Sequence, residues 1–242
     1  MIQVRQLRKS FGRIGALENV GFDAPDGTIT GLLGANGAGK TTTLRIVAGV
    51  MKADSGTVRI DHTRPTVGPS IGRSLGALLD HQGLYPRLTA REHLDYFGRL
   101  RGLHGGVLTD RVQHLVAALD LTSLADRPVA GFSHGERVKV SLGCAMIHEP
   151  PHLLLDEPTN GLDVPTVRAL RVFLRALRDA GTCIVFSSHV LGEVEELCDR
   201  IVILAHGTTV AEDSLEEIRP ASGGTLEDAF MNLTCRTEVV PC

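Results

Sequence analysis

Thr28-Ile-Thr-Gly-Leu-Leu-Gly34-Ala-Asn-Gly-Ala-Gly-Lys40-Thr41-Thr42 continues as an apolar, helix-like pattern to Val50. Thr28–Leu33 is β-branched and apolar, which predicts a short strand, and the pattern from Thr41 to Val50 predicts a helix. Between them Gly34, Ala35, Asn36, Gly37, Ala38, Gly39, Lys40 and Thr41 place four residues between the first glycine and a Gly-Lys-Thr triplet. That is the spacing of a loop whose backbone N–H groups turn inward around phosphate oxygens. The helix that follows adds the positive end of its dipole to the same spot. Lys40 is expected to reach β- and γ-phosphates, and the Thr41 hydroxyl to hold Mg²⁺.

A phosphate loop alone does not say what is done to the phosphate. A second stretch, Leu153-Leu-Leu-Asp156-Glu157, supplies that: an apolar strand ends in two acids. Asp156 is placed to hold Mg²⁺, and Glu157 to orient or deprotonate an attacking water. On its own such a pair is usually a cap or a loop; joined to a phosphate loop it reads as hydrolytic machinery. The guanine-reading Asn-Lys-x-Asp stretch is absent from the sequence, which removes the main support for a GTPase.

Around these motifs the 242 residues are 43% hydrophobic and 22% charged, enough apolar content for a real core. No run approaches the roughly 18 apolar residues of a membrane span, and the first residues alternate like a strand rather than a leader peptide. A net charge of −3 offers no basic stripe for nucleic acid. Five cysteines, odd in number and without a Cys-x-x-Cys pair, argue against a disulfide framework and a zinc site, and fit a reducing cytosol. Strands are expected at Ile2–Leu7, Gly21–Ala24, Thr57–Ile60, Ser74–Leu79, His152–Asp156, Thr182–Ser187 and Arg200–Leu204. Helical spacing runs from Thr89 to about Leu121 with a glycine hinge at Gly102–Gly106, then over Gly135–His148, Pro165–Ala180, Leu191–Leu197 and around Leu226–Leu233. The order implies an α/β core with a helical insertion at about 85–150 and no internal repeat.

Three further stretches stand in order with the first two. Phe132-Ser133-His134-Gly135-Glu136 opens a helix; Asp156-Glu157 continues as Pro158-Thr159-Asn160-Gly161-Leu162-Asp163; and Ser188-His189 follows a strand. With the phosphate loop they resemble the nucleotide-binding subunits of ABC transporters, over residues 2 to about 233. The resemblance implies a P-loop nucleoside-triphosphatase core with an antiparallel β subdomain at its N-terminal side and an inserted α-helical subdomain. It implies one domain over 1–235 and a tail at 236–242. In the family two subunits face head to tail around two ATP molecules. Carried over, Phe11 stacks on adenine, Gly34 to Thr42 wrap the triphosphate, and Ser133 and Gly135 touch the γ-phosphate held by the opposite subunit. Asp163 couples the two sites, and His189 contacts the γ-phosphate. The implied ligands are ATP and Mg²⁺. The implied partners are a transmembrane permease and a second ATPase subunit, expected to be another copy of the chain, with no nucleic acid. The location is cytoplasmic, peripheral on the cytoplasmic face of the membrane.

The sequence departs from the family pattern at three places. The signature is usually Leu-Ser-Gly-Gly-Gln; here His134 puts an imidazole at a crowded interface, which would make dimerisation pH sensitive if it titrates there. The glutamine that reaches Mg²⁺ and water falls, by alignment on Leu84-Tyr85-Pro86, at Asp80, with Gln82 two residues later; either is a candidate. His152 interrupts the apolar run into Asp156, and Cys144 stands where the family usually has arginine. The length leaves no room for the regulatory extension of sugar importers, and the stretches at 83–92, 189–199 and 225–230 look most like the separate-chain NatA type of sodium and drug exporters. The expected function is ATP-driven export through a separate permease. The competing readings are a nucleotide-gated regulatory module with vestigial hydrolysis and a soluble, non-transport ATPase.

Overall fold

The computed structural model describes residues 1–61, 74–79, 83–218 and 225–235. In chain order its strands are β1 (Ile2–Phe11), β2 (Ile14–Ala24), β3 (Ile29–Leu33), β4 (Ser55–Ile60), β5 (Leu75–Leu78), β6 (His152–Asp156), β7 (Cys183–Ser188), β8 (Arg200–Ala205) and β9 (Thr208–Ser214). Its helices are α1 (Lys40–Val47), α2 (Ala90–Leu100), α3 (Gly105–Ala118), α4 (His134–Met146), α5 (Val164–Asp179), α6 (Leu191–Leu197), α7 (Leu215–Ile218) and α8 (Leu226–Cys235). Every residue of β3, β6 and β7 is buried, as expected of parallel strands covered on both faces. They lie side by side in a sheet of order β4-β1-β2-β9-β8-β3-β7-β6-β5.

Register does the positioning. β3 pairs with β7 from Ile29↔Ile184 to Leu33↔Ser188, and β6 with β7 from His152↔Cys183 to Asp156↔Ser187. Parallel strands in this register deliver their next residues, Gly34, Glu157 and His189, to one edge of the sheet. β1, β2 and β4 form an antiparallel layer at the other side of the sheet order. One core cluster joins the sheet to the helices through Leu94, Leu115, Val140, Phe186 and Ile203, and a second joins it to α1 and the antiparallel layer through Phe22, Leu44, Leu154, Val185 and Val202. Truncating a fully buried leucine such as Leu154 to alanine in cores of this kind costs about 2–5 kcal/mol.

Several elements differ from the sequence expectation. The strand placed at Gly21–Ala24 extends back to Ile14, because pairing with β1 satisfies the backbone of a segment whose glycines and acids lower its own β preference. β9 and α7 carry no clear period; β9 exists because it pairs antiparallel with β8. The first helix stops at Val47 rather than Val50. Gly49 takes φ +70, and the N–H groups of Gly49 and Val50 donate back to Ile46 and Arg45, the left-handed glycine ending of a helix. The 85–150 region holds α2, α3 and α4. Capping boxes at Thr89–Glu92 and Ser133–Glu136 start α2 and α4, each hydroxyl accepting from the N3 amide while the glutamate accepts from the cap amide. The expected tail at 236–242 lies outside the described residues.

Candidate active site

The sharp turn after β3 is where local sequence matters most. Gly39 sits at φ +104, and a Cβ there would lie 2.5 Å from Leu17 Cδ2 and 3.0 Å from the Ala16 carbonyl oxygen, so glycine meets both the conformation and the space. The loop then enters α1, whose first residue, Lys40, is only 5% exposed. Its ammonium donates to the Gly34 carbonyl at 2.7 Å and the Ala35 carbonyl at 3.3 Å. It also lies 3.3 Å from Glu157 Oε1.

Glu157 follows β6 and adopts φ +47, rare for a residue with a side chain. Two hydrogen bonds hold it there: its amide donates to the Ser187 carbonyl at 3.2 Å and the Ser187 hydroxyl at 3.0 Å. The same hydroxyl donates to Asp156 Oδ1 at 2.6 Å, so one serine on β7 ties the last residue of β6 to the glutamate that follows it. His189, just past β7, hydrogen-bonds Glu157 Oε2 through Nδ1 at 2.6 Å and keeps Nε2 for a ligand. The Ser188 and Thr159 hydroxyls both donate to Glu193 Oε2 at 2.7 Å, fastening the turn after β6 to α6. Ser187 and Glu193 were not among the expected site residues. Ser187 precedes the Ser188-His189 pair, but nothing in its local pattern says that it faces β6; that follows only from the strand register.

The structure thus brings together the phosphate loop, Asp156, Glu157 and His189. The Thr41 hydroxyl and the Asp156 carboxylate are hard oxygen donors, and Asp156 is oriented through one oxygen; that donor set suits Mg²⁺. Ser133, Gly135 and Asp163 form a separate group. Ser133 caps α4, and Asp163 caps α5 by accepting from the Thr166 amide at 2.9 Å; the Thr166 side chain, then this amide, hold its carboxyl below the usual carboxylate range. Gly135 packs against Leu162 and Thr166, and His134 Nε2 meets the Asn160 carbonyl at 3.0 Å, so the two helix starts are joined. Phe11 stands apart at the β1–β2 hairpin, 48% exposed, with the Lys9 ammonium 5.6 Å from its ring centroid. Asp80 and Gln82 lie outside the described residues. Cys144 is buried packing on α4; burial pushes its thiol up to about 12, which leaves it inert at neutral pH.

A buried lysine beneath a glycine loop, faced by a carboxylate–histidine pair from two adjacent strands, defines a nucleoside-triphosphate-binding ATPase class of protein. A model of the ABC transporter family matches residues 17–160, and the chain belongs to that family. It is 37% identical over 205 residues to the ABC transporter ATP-binding protein NatA of Bacillus subtilis, covering 84% of this chain and 83% of that protein. It is 36% identical over 212 residues to the Nod factor export ATP-binding protein I of Sinorhizobium fredii, covering 87% and 62% respectively. A solved ATP-binding subunit of an ABC transporter superposes with TM-score 0.88 at 32% identity, covering 97% of this chain and 99% of that one. A dimeric ATP-binding cassette in a post-hydrolysis state with ADP and Pi superposes with TM-score 0.80 at 25% identity, covering 89% and 99%. The chain is an ABC transporter ATP-binding subunit. Among the described residues no helix is long and apolar enough to cross a membrane.

Proposed function

We propose that this chain hydrolyses ATP to drive export of an ion or small molecule through a separate membrane permease, and that it acts as a head-to-tail pair of copies. The observation that carries the hydrolytic part is the convergence of Lys40, Glu157 and His189, with 3.3 and 2.6 Å contacts, at one edge of the sheet. Lys40 binds the phosphate chain and exchanges its bond to Glu157 for phosphate oxygens. Glu157 takes the proton of the attacking water, with His189 holding its carboxylate in place and offering the other ring nitrogen to the γ-phosphate. Thr41 and Asp156 would hold Mg²⁺, which supplies charge neutralisation on the phosphates when bound. Phe11 offers an exposed π face to adenine.

The paired arrangement is supported by the second group. Ser133 and Gly135 open a helix whose N–H groups and dipole suit an anion, yet they are built onto α4 and α5 rather than onto the phosphate loop. A second copy is the natural source of the phosphate they would meet. The exporter reading rests on relatives named for export and resistance, including the linearmycin resistance ATP-binding protein LnrL of Bacillus subtilis, 31% identical over 237 residues. Such a subunit works at the cytoplasmic face of the membrane.

The test is purification of the tagged chain from detergent-solubilised membranes of its own host. The expected result is co-purification with a polytopic membrane protein, in whose presence ATPase activity rises. Recovery of the chain with ribosomes or DNA instead, with no membrane partner, would overturn the transport assignment.

A further inference from the structure

The edge of the sheet opposite the phosphate loop carries a cluster that ATP hydrolysis does not use. His152 opens β6 and is 1% exposed; Cys183 opens β7 and is fully buried; the two are direct partners in the β6–β7 register. Asp26, in the turn before β3, and Asp61, just after β4, close over them from the antiparallel layer. His152 Nε2 lies 3.6 Å from Asp26 Oδ1 and 3.1 Å from Asp61 Oδ1, and the donor atoms of Asp26, His152 and Cys183 all lie within 4.8 Å of one another.

Two observations indicate what this cluster is shaped for. His152 Nδ1 is 3.1 Å from the Ser74 carbonyl, a contact that fixes the ring so that Nε2 faces Asp26 and Asp61. Such a backbone contact is the usual way a ligating histidine is oriented. The cluster also already gathers a cation: the Met1 ammonium sits 2.5 Å from Asp26 Oδ1, 2.8 Å from Asp61 Oδ1 and 3.2 Å from His152 Nε2.

We infer that Asp26, His152 and Cys183, with Asp61 as fourth donor, form a binding site for a divalent transition-metal ion of the zinc class. One thiolate, one imidazole and two carboxylates make a borderline-soft donor set that favours such an ion over Mg²⁺ or Ca²⁺. A tetrahedral ion with ligands at about 2.0–2.3 Å holds its donors roughly 3.3–3.7 Å apart, so donor pairs now up to 4.8 Å apart need to close by at most about 1.5 Å. On binding, the ion takes the ammonium's position, and the Cys183 thiol, which now donates to the Ala24 carbonyl at 3.4 Å, loses its proton to solvent. The ion then clips the antiparallel layer to the parallel sheet, far from the nucleotide. The absence of a Cys-x-x-Cys pair does not bear on it, because the donors come from four separate segments brought together by the sheet.

The experiment is a titration of the full chain, stripped of metal by a chelator and free of nucleotide, with Co²⁺ as probe. One equivalent is expected to give tetrahedral visible absorption and a thiolate-to-cobalt charge-transfer band in the near ultraviolet, both displaced by Zn²⁺. Cys183→Ser should remove the charge-transfer band. Asp26→Asn, at a side chain 63% exposed and so harmless to folding, should weaken Co²⁺ binding more than about tenfold and abolish the rise in Tm produced by Zn²⁺. ATP binding should be unchanged in both variants. Absence of a stoichiometric complex, a charge-transfer band that survives Cys183→Ser, or equal Co²⁺ affinity in Asp26→Asn would each overturn the site and leave the cluster as an anchor for the ammonium alone.

Discussion

Replacing Glu157 with glutamine separates the charge of this residue from its shape. The amide keeps an oxygen to accept the His189 Nδ1 hydrogen bond, so the 2.6 Å contact survives while the base is lost. Removing a positioned general base costs about 10²–10⁴ in turnover, or about 3–5 kcal/mol of barrier. The substitution also acts on Lys40. At 3.3 Å, and with a lysine only 5% exposed, the Glu157 carboxylate attracts the ammonium by about 5 kcal/mol at an effective dielectric near 20. Desolvation offsets most of this, leaving a net of about 1 kcal/mol. A triphosphate must displace that carboxylate from Lys40, so the variant should bind ATP about fivefold more tightly while hydrolysing it at least 100-fold more slowly. Single-turnover hydrolysis of labelled ATP measures the slowed turnover, and equilibrium nucleotide binding measures the tightened affinity. A turnover within about tenfold of the parent would refute the base assignment, and weakened ATP binding would refute the competition between carboxylate and phosphate for Lys40.

Other outcomes follow from the same geometry. Gly39→Ala forces a Cβ into Leu17 and the Ala16 carbonyl at positive φ, and should cost about 1–3 kcal/mol in urea unfolding as well as ATP binding. Ser133→Ala removes the hydroxyl that caps α4, which should lower stability by about 1 kcal/mol; if Ser133 also meets the partner's phosphate, ATP-dependent dimerisation by light scattering should fall further than Thr89→Ala, an equivalent cap on α2, can produce. His148 gives a pH dependence: burial, then the charge of Arg101, pushes its pKa from 6.5 down to about 4. The unfolded chain binds a proton below about 6.5 that the folded chain refuses until about 4, so stability should fall as pH drops through that window, by about 2 kcal/mol allowing for partial exposure. Denaturant midpoints measured at pH 7 and pH 4.5 should lie closer together in His148→Asn. The ATPase pH profile of His134→Gly tests whether the imidazole that meets Asn160 makes the cycle pH sensitive; an unchanged profile would end that idea.

Much of the site was legible because its chemistry is local. The phosphate loop needs glycines, a lysine and a hydroxyl within a few residues, and Asp156-Glu157 needs only the end of an apolar strand. The helix starts near Gly135 and Pro165 were also legible from their first turns, although the capping by Ser133 and Asp163 that begins them one residue earlier was not. What escaped was long-range pairing. β9 has weak intrinsic preference and exists because β8 offers it partners, and the first half of β2 was hidden by glycines until β1 paired with it.

The sequence by itself determined the phosphate chemistry, the family and the strands and helices that carry the site motifs, because each depends on residues close in the chain. Only the tertiary structure decided that Lys40 faces Glu157, that Ser187 bridges Asp156 and Glu157, and that His152 and Cys183 share one end of the sheet with Asp26 and Asp61. The physical reason is register: a one-residue slip between β6 and β7 would turn Asp156, Ser187, His152 or Cys183 away from its partners, and register is fixed by burial across the whole sheet rather than by any one segment.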